Sequence, residues 1–281
     1  MTLRRAAIVL GFWLLVPPLL RAQHATRTQP LPAGHLFSPL LADPKQPHFF
    51  AAWLWVTSPV VTGQVATVGL GEEIALIRSP RRRWELSVAA GVFSQFNMET
   101  RSNDLINTDF IIGFPLAYRR NAVSVRARIY HQSSHLGDEF ILNNNPTRVN
   151  LSFEAAELLV AAELRGFRVY GGGEYILRHE PSDLKPGLLH AGLEYRHPRR
   201  LGRVGALGDA SIVAALDAKS TQERRWRVGW SGRVGIEFRP TTDEAARRLS
   251  IQLQAYGGPA PYGQFYQENV PSVGVGIHFS L

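Results

Sequence analysis

The chain has 281 residues, no cysteine and a formal charge of +8. That length admits one large β domain or two smaller ones, and the missing cysteine excludes disulfides, thiolate metal sites, a cysteine nucleophile and a lipid anchor on an N-terminal cysteine. The basic excess is dispersed and lacks interleaved aromatics, so no nucleic-acid partner is expected; it suits anionic lipid or lipopolysaccharide headgroups.

Residues 1–22 read as a signal peptide. Arg4 and Arg5 open it, Ala6 to Leu20 is apolar, and Leu20-Arg21-Ala22 offers a cleavage site before Gln23. Its core of about 15 residues is interrupted by Pro17-Pro18, and a spanning helix needs roughly 20. Removing the segment takes away three arginines (Arg4, Arg5 and Arg21) and lowers the charge from +8 to +5. Residues 23–48 carry Pro30, Pro32, Pro39, Pro44 and Pro47 without periodicity, which predicts an extended, irregular N-terminal leader.

From residue 49 the chain changes character. Twelve strand-like runs follow, near 49–57, 64–78, 82–97, 107–119, 122–134, 147–164, 166–178, 187–197, 206–219, 223–239, 246–257 and 269–281. The last is the clearest: Val273, Val275, Ile277, Phe279 and Leu281 share one face, and Ser272, Gly274, Gly276, His278 and Ser280 the other. Glu72 and Glu157 interrupt the alternation of the second and sixth runs, which predicts a bulge or register change there.

A soluble sandwich alternates in the same way. Three features favour an all-β, antiparallel transmembrane β-barrel of about 12 strands over residues 49–281. Charges such as Arg126, Arg128, Arg233 and Glu237 lie in mid-strand on the polar face. Aromatics (Trp84, Tyr118, Tyr195, Trp226 and Phe279) sit near the ends of the apolar faces, as in the girdles of outer-membrane barrels. Connections also tend to alternate between short, as at Arg120-Asn121 and Arg165, and long, as at 98–106, 135–146, 179–186 and 258–268. Short periplasmic turns and long outer loops follow that rule. The expected location is the cell outer membrane, reached through the periplasm, with barrel-assembly machinery as a partner and a monomer or weak dimer as the oligomeric state.

The densest cluster of reactive side chains is Tyr130 to Glu139, at the outer end of the fifth run. Alternation puts His131 and Ser133 together on the lipid-facing side. A histidine beside a serine can take the hydroxyl proton and make a nucleophile, given a third group to orient the ring. Asn150, Asn143 to Asn145, Asp138 and Glu139 are the candidates. The plainer reading is an interfacial strand end that pins a loop. Asp138, Glu139 and Asn143 to Asn145 also offer oxygen ligands for calcium as a cofactor, though the spacing is not that of a helix-loop-helix site. Tyr170-Gly171-Gly172-Gly173-Glu174-Tyr175 lacks the features of a phosphate loop and reads as close strand packing. Arg126, Arg128, Arg168, Arg178, Arg227 and Arg233 are expected in the lumen with Glu174, Glu194 and Glu237, either as an ion-paired plug or as a narrow, anion-leaning pore. The loop around Pro261 to Tyr266 either packs on itself or folds over the mouth.

Two resemblances follow. His131-Gln132-Ser133 is similar to the His-x-Ser pair of the outer-membrane phospholipase A family, which implies a twelve-stranded barrel with a lipid-facing serine hydrolase site and an asparagine on the neighbouring strand. That family has Asn-Gly after its serine, where this chain has Ser134-His135. Several blocks, including Leu41 to Pro47, Ser102 to Asp109, Tyr130 to Glu139, Asn150 to Glu154 and Pro261 to Tyr266, resemble a bacterial envelope family known as domain of unknown function 1207. It covers nearly the whole mature chain and implies location without activity. The expected function is therefore a structural or small-solute outer-membrane barrel. The alternatives are an outer-leaflet lipid hydrolase using Ser133, His131 and Asn150, and a narrow pore or outer-loop binding protein.

Overall fold

Strict alternation of apolar with polar or small residues requires a sheet whose two faces meet different surroundings, and closing such a sheet removes its edges. The computed structural model describes residues 27–146, 148–240 and 247–280, and the signal peptide lies outside them. Its strands are β1 (Gln29–Pro30), β2 (Phe49–Thr57), β3 (Thr62–Arg78), β4 (Trp84–Asn97), β5 (Leu105–Arg120), β6 (Val123–Leu136), β7 (Leu151–Leu164), β8 (Phe167–Glu180), β9 (Gly187–Arg196), β10 (Gly202–Val204), β11 (Gly208–Thr221), β12 (Val228–Arg239), β13 (Arg248–Gly257) and β14 (Ser272–Ser280). All but the short β1 and β10 form a ring of twelve antiparallel strands, which β14 closes by pairing with β2. Each of the twelve expected runs corresponds to one of them.

The ring has unlike rims. One carries tight turns, including residues 121–122 and 165–166; the other carries residues 137–150, with helix α1 (Asp138–Asn144), and residues 258–271. Leu158, Val160, Ile251 and Leu253 project outward and are exposed, whereas Arg126, Arg128, Glu157 and Glu237 point inward and are buried. Polar inside and apolar outside is the arrangement of a barrel solvated by lipid. Among the described residues no helix is long and apolar enough to cross a membrane.

The irregularities fall elsewhere than expected. Glu157 does not break alternation: it points into the lumen between Arg126 and Arg128. The shift in β3 lies between Ala75 and Ile77 rather than at Glu72. A second shift lets Leu177 bulge from β8, so Arg178 pairs with Glu154 while Ile176 pairs with Ala155. That extra residue moves Arg178 out of the expected lumenal set onto the outer surface, where it is exposed. Arg227 lies in the connection before β12, also exposed. Arg126, Arg128, Arg168 and Arg233 are lumenal as expected.

The lumen is occupied by the chain's own leader. β1 pairs with Arg78 and Ile77 at the tight-turn end of β3. From there the leader climbs into the barrel, turns at Asp43, whose carbonyl accepts from the Gln46 N–H, and returns to Phe49 at the same rim. Leu36, Phe37 and Leu40 pack against Ala117, Leu159, Ala161 and Tyr170 of the wall. The Arg126 and Arg168 guanidiniums lie over the Phe37 ring at 4.9 and 4.6 Å, which covers an apolar anchor with charge rather than with water. The Leu41 N–H donates to Glu194 at 2.7 Å and its carbonyl accepts from Arg233 at 2.9 Å. An irregular segment can be buried here because wall side chains satisfy its backbone.

Candidate functional site

β6 positions the reactive cluster. Its alternation holds Arg126, Arg128, Tyr130, Gln132 and Ser134 inward and leaves Ile129, His131 and Ser133 outward, near the long-loop rim. The antiparallel register sets His131 opposite Ile112 on β5 and Glu154 on β7. His131 Nδ1 donates to Glu154 Oε1 at 3.0 Å, with both side chains about 40 % exposed on the outer face. A carboxylate can only accept, so Nδ1 carries the hydrogen, and Nε2 of the neutral ring is left with its lone pair. Ser133 stands two residues further along the same face, between Phe110 and Ser152. It makes no hydrogen bond to the ring; such contacts often tighten only when substrate is bound. The outward row continues through Glu154 to Arg178, which places a guanidinium beside the pair.

The ring's acidic partner is thus Glu154, which sequence reasoning passed over. Asn150 lies exposed just before β7, away from the register position opposite His131. The missed signal was the cross-strand register, which names the residue opposite each histidine once a hairpin is anchored. Asp138 and Glu139 are exposed in the first turn of α1, where acidic side chains favour the helix N-terminus. Asn143 donates to Asp104 at 2.8 Å.

Inside the barrel, Asp109 joins four elements. It accepts from Lys45 of the leader, from Ser134 of β6, from Asn107 Nδ2 at 3.3 Å and from the Gly263 N–H at 3.0 Å. Gln264 donates to the Ser134 and Val149 carbonyls at 2.7 and 2.9 Å, so the last long loop folds over the mouth. Beneath it, the leader tip, Tyr130, Glu174, Lys219 and Tyr262 line a cavity of about 170 Å³. The Asp43 carboxyl is held well below the usual carboxylate range: burial opposes this, but the Lys219 charge and His190 outweigh it. Two groups of potential metal ligands occur among the described residues, His35 with Glu73 and Glu85, and Glu157 with Glu174 and His190. In the second, both Glu157 oxygens are already taken by Arg126 and Arg128.

Comparison with known proteins bears on family and fold. The model of a family described as protein of unknown function (DUF1207) matches residues 20–281. No curated protein matches by sequence. Among solved structures, the Salmonella typhi outer membrane phospholipase dimer with bound calcium superposes with a TM-score of 0.60 at 13 % identity, covering 85 % of this chain and 94 % of that one. Outer membrane phospholipase A from Escherichia coli superposes at 0.59 and 13 % identity, covering 84 % and 91 %. At such identity the likeness shows a shared barrel fold and nothing finer.

Proposed function

The chain belongs to the DUF1207 family of proteins of unknown function, and from that premise we propose that it is an outer-membrane hydrolase of lipid esters in the outer leaflet. The observation that carries the reading is the hydrogen bond from His131 to Glu154 on the lipid-facing surface, with Ser133 on the same strand face. In the mechanism, the Ser133 hydroxyl adds to the ester carbonyl while His131 Nε2 takes its proton. That proton then passes to the departing alcohol, leaving an acyl-serine. Water, activated by the same nitrogen, releases the fatty acid and restores Ser133. Glu154 fixes the tautomer and steadies the imidazolium that forms in each half. Arg178 supplies a charge at headgroup level for a lipid phosphate. The two phospholipases that share the fold support the reading by analogy alone.

The test is release of fatty acid from mixed micelles of fluorescent phospholipid, and from lipopolysaccharide, by purified protein with and without calcium. The calcium arm probes Asp138 and Glu139. Activity lost in Ser133→Ala supports the reading; a rate unchanged in that variant removes it. A second reading, a non-catalytic barrel, is favoured by the filled lumen, and absence of hydrolysis under every condition would select it.

A further inference from the structure

A second site lies at the opposite rim, independent of the hydrolase reading. Between the leader and the wall, a cavity of about 500 Å³ opens at the tight-turn mouth. Six arginines line it: Arg78, Arg82, Arg119, Arg196, Arg233 and Arg248. Among its described lining residues the one carboxylate is Glu237, which is already shared by Arg239 at 2.7 Å, Arg196 at 3.6 Å and Arg248 at 3.9 Å. Arg78 and Arg119 are paired with Glu85 and Glu163. Arg82 and Arg233 have no carboxylate within ion-pair distance among the described residues. Arg233 is 8 % exposed, and its Nε is buried without an acceptor. Its Nη1 reaches the Leu41 carbonyl and His278 Nδ1.

A buried guanidinium N–H without an acceptor is costly, and surplus positive charge in a cleft with low-dielectric walls raises the affinity for anions. The arginines come from separate elements: the β3–β4 turn, the end of β9, the middle of β12 and the start of β13. A carboxylate presents two oxygens in one plane, whereas donors converging from several sides match a tetrahedral dianion. We propose that this mouth is a binding site for a phosphate-type oxyanion reached from the periplasm, either free phosphate or the terminal group of a phosphate monoester. Arg233 receives it at the inner end, beneath the leader, and Arg82, Arg196 and Arg248 surround it at the rim.

The experiment is isothermal titration of the full-length barrel in octyl glucoside, in phosphate-free, low-chloride buffer, with inorganic phosphate and separately with glycerol phosphate. One saturable site is expected, with its Kd raised tenfold or more in Arg248→Gln and in Arg82→Gln. Arg82 sits in an exposed turn, so its replacement leaves the fold intact, and heat-modifiable migration on gels checks this for both variants. Tighter binding of glycerol phosphate than of phosphate identifies an ester as the ligand; the reverse identifies the free ion. Arg200→Gln, outside the cavity, and Ser133→Ala leave the Kd unchanged. No saturable phosphate binding, or a Kd indifferent to both Arg82→Gln and Arg248→Gln, overturns the proposal.

Discussion

In the proposed hydrolase, a barrel wall orients the base His131 through Glu154, without a loop or a cleft. A strand fixes His131 and Ser133 on one face at a separation of two residues, and the neighbouring strand supplies the carboxylate by register. In Glu154→Gln the amide no longer compels Nδ1 to carry the hydrogen and does not stabilise the imidazolium. The expected loss of turnover is about 10²–10⁴-fold with KM little changed, measured against the same fluorescent lipid; an unchanged turnover would place the base elsewhere. The histidine and serine were legible in the sequence because they fall on one parity of an alternating run. Glu154 was not, because the residue opposite His131 depends on where a fourteen-residue connection (137–150) lets β7 begin.

The leader is the element that alternation could not describe. Its partners lie far along the chain: Glu194 and Arg233 hold Leu41 across 153 and 192 positions. No local pattern encodes contacts of that range, whereas each barrel strand declares itself within a dozen residues. The filled lumen predicts that the full-length barrel is electrically silent in planar bilayers, and that removing residues 29–46 produces stepwise ion conductance; a silent deletion variant would mean that the wall side chains close the lumen alone. Docking of the leader is also expected to depend on pH. His48 donates to the Gln46 carbonyl at 2.7 Å and stacks against His278. Burial and the Arg233 charge hold its imidazole down at about 4, against an ordinary value of 6.5, while Gln46 and Asp43 pull weakly the other way. At His48 the docked leader therefore binds fewer protons than the withdrawn one. The contribution of His48 to docking is fully present above pH 6.5 and weakens as the pH falls towards about 4. Hydrogen exchange of residues 36–46, corrected for intrinsic rates, should rise across that window; protection that stays flat would rule out His48 as the titrating group.

At the scale of the molecule, the charges are inside and the aliphatic surface is outside, so stability depends on the surrounding lipid. Leu158 lies midway along β7 and is 55 % exposed on the outer face. Leu158→Arg should cost about 2–4 kcal/mol, read as a lower urea midpoint in phospholipid vesicles; an unchanged midpoint would mean that this band does not contact hydrocarbon. The leader's path has a further consequence for the whole particle. Because the segment goes up from β1 and comes back to β2 at the same rim, it is a cork and not a thread. A thread would have to be in place before the ring closed between β14 and β2, and could leave only if that seam opened. A cork can seat after closure and be pulled without breaking a single strand pair of the ring, so assembly imposes no order on the two events.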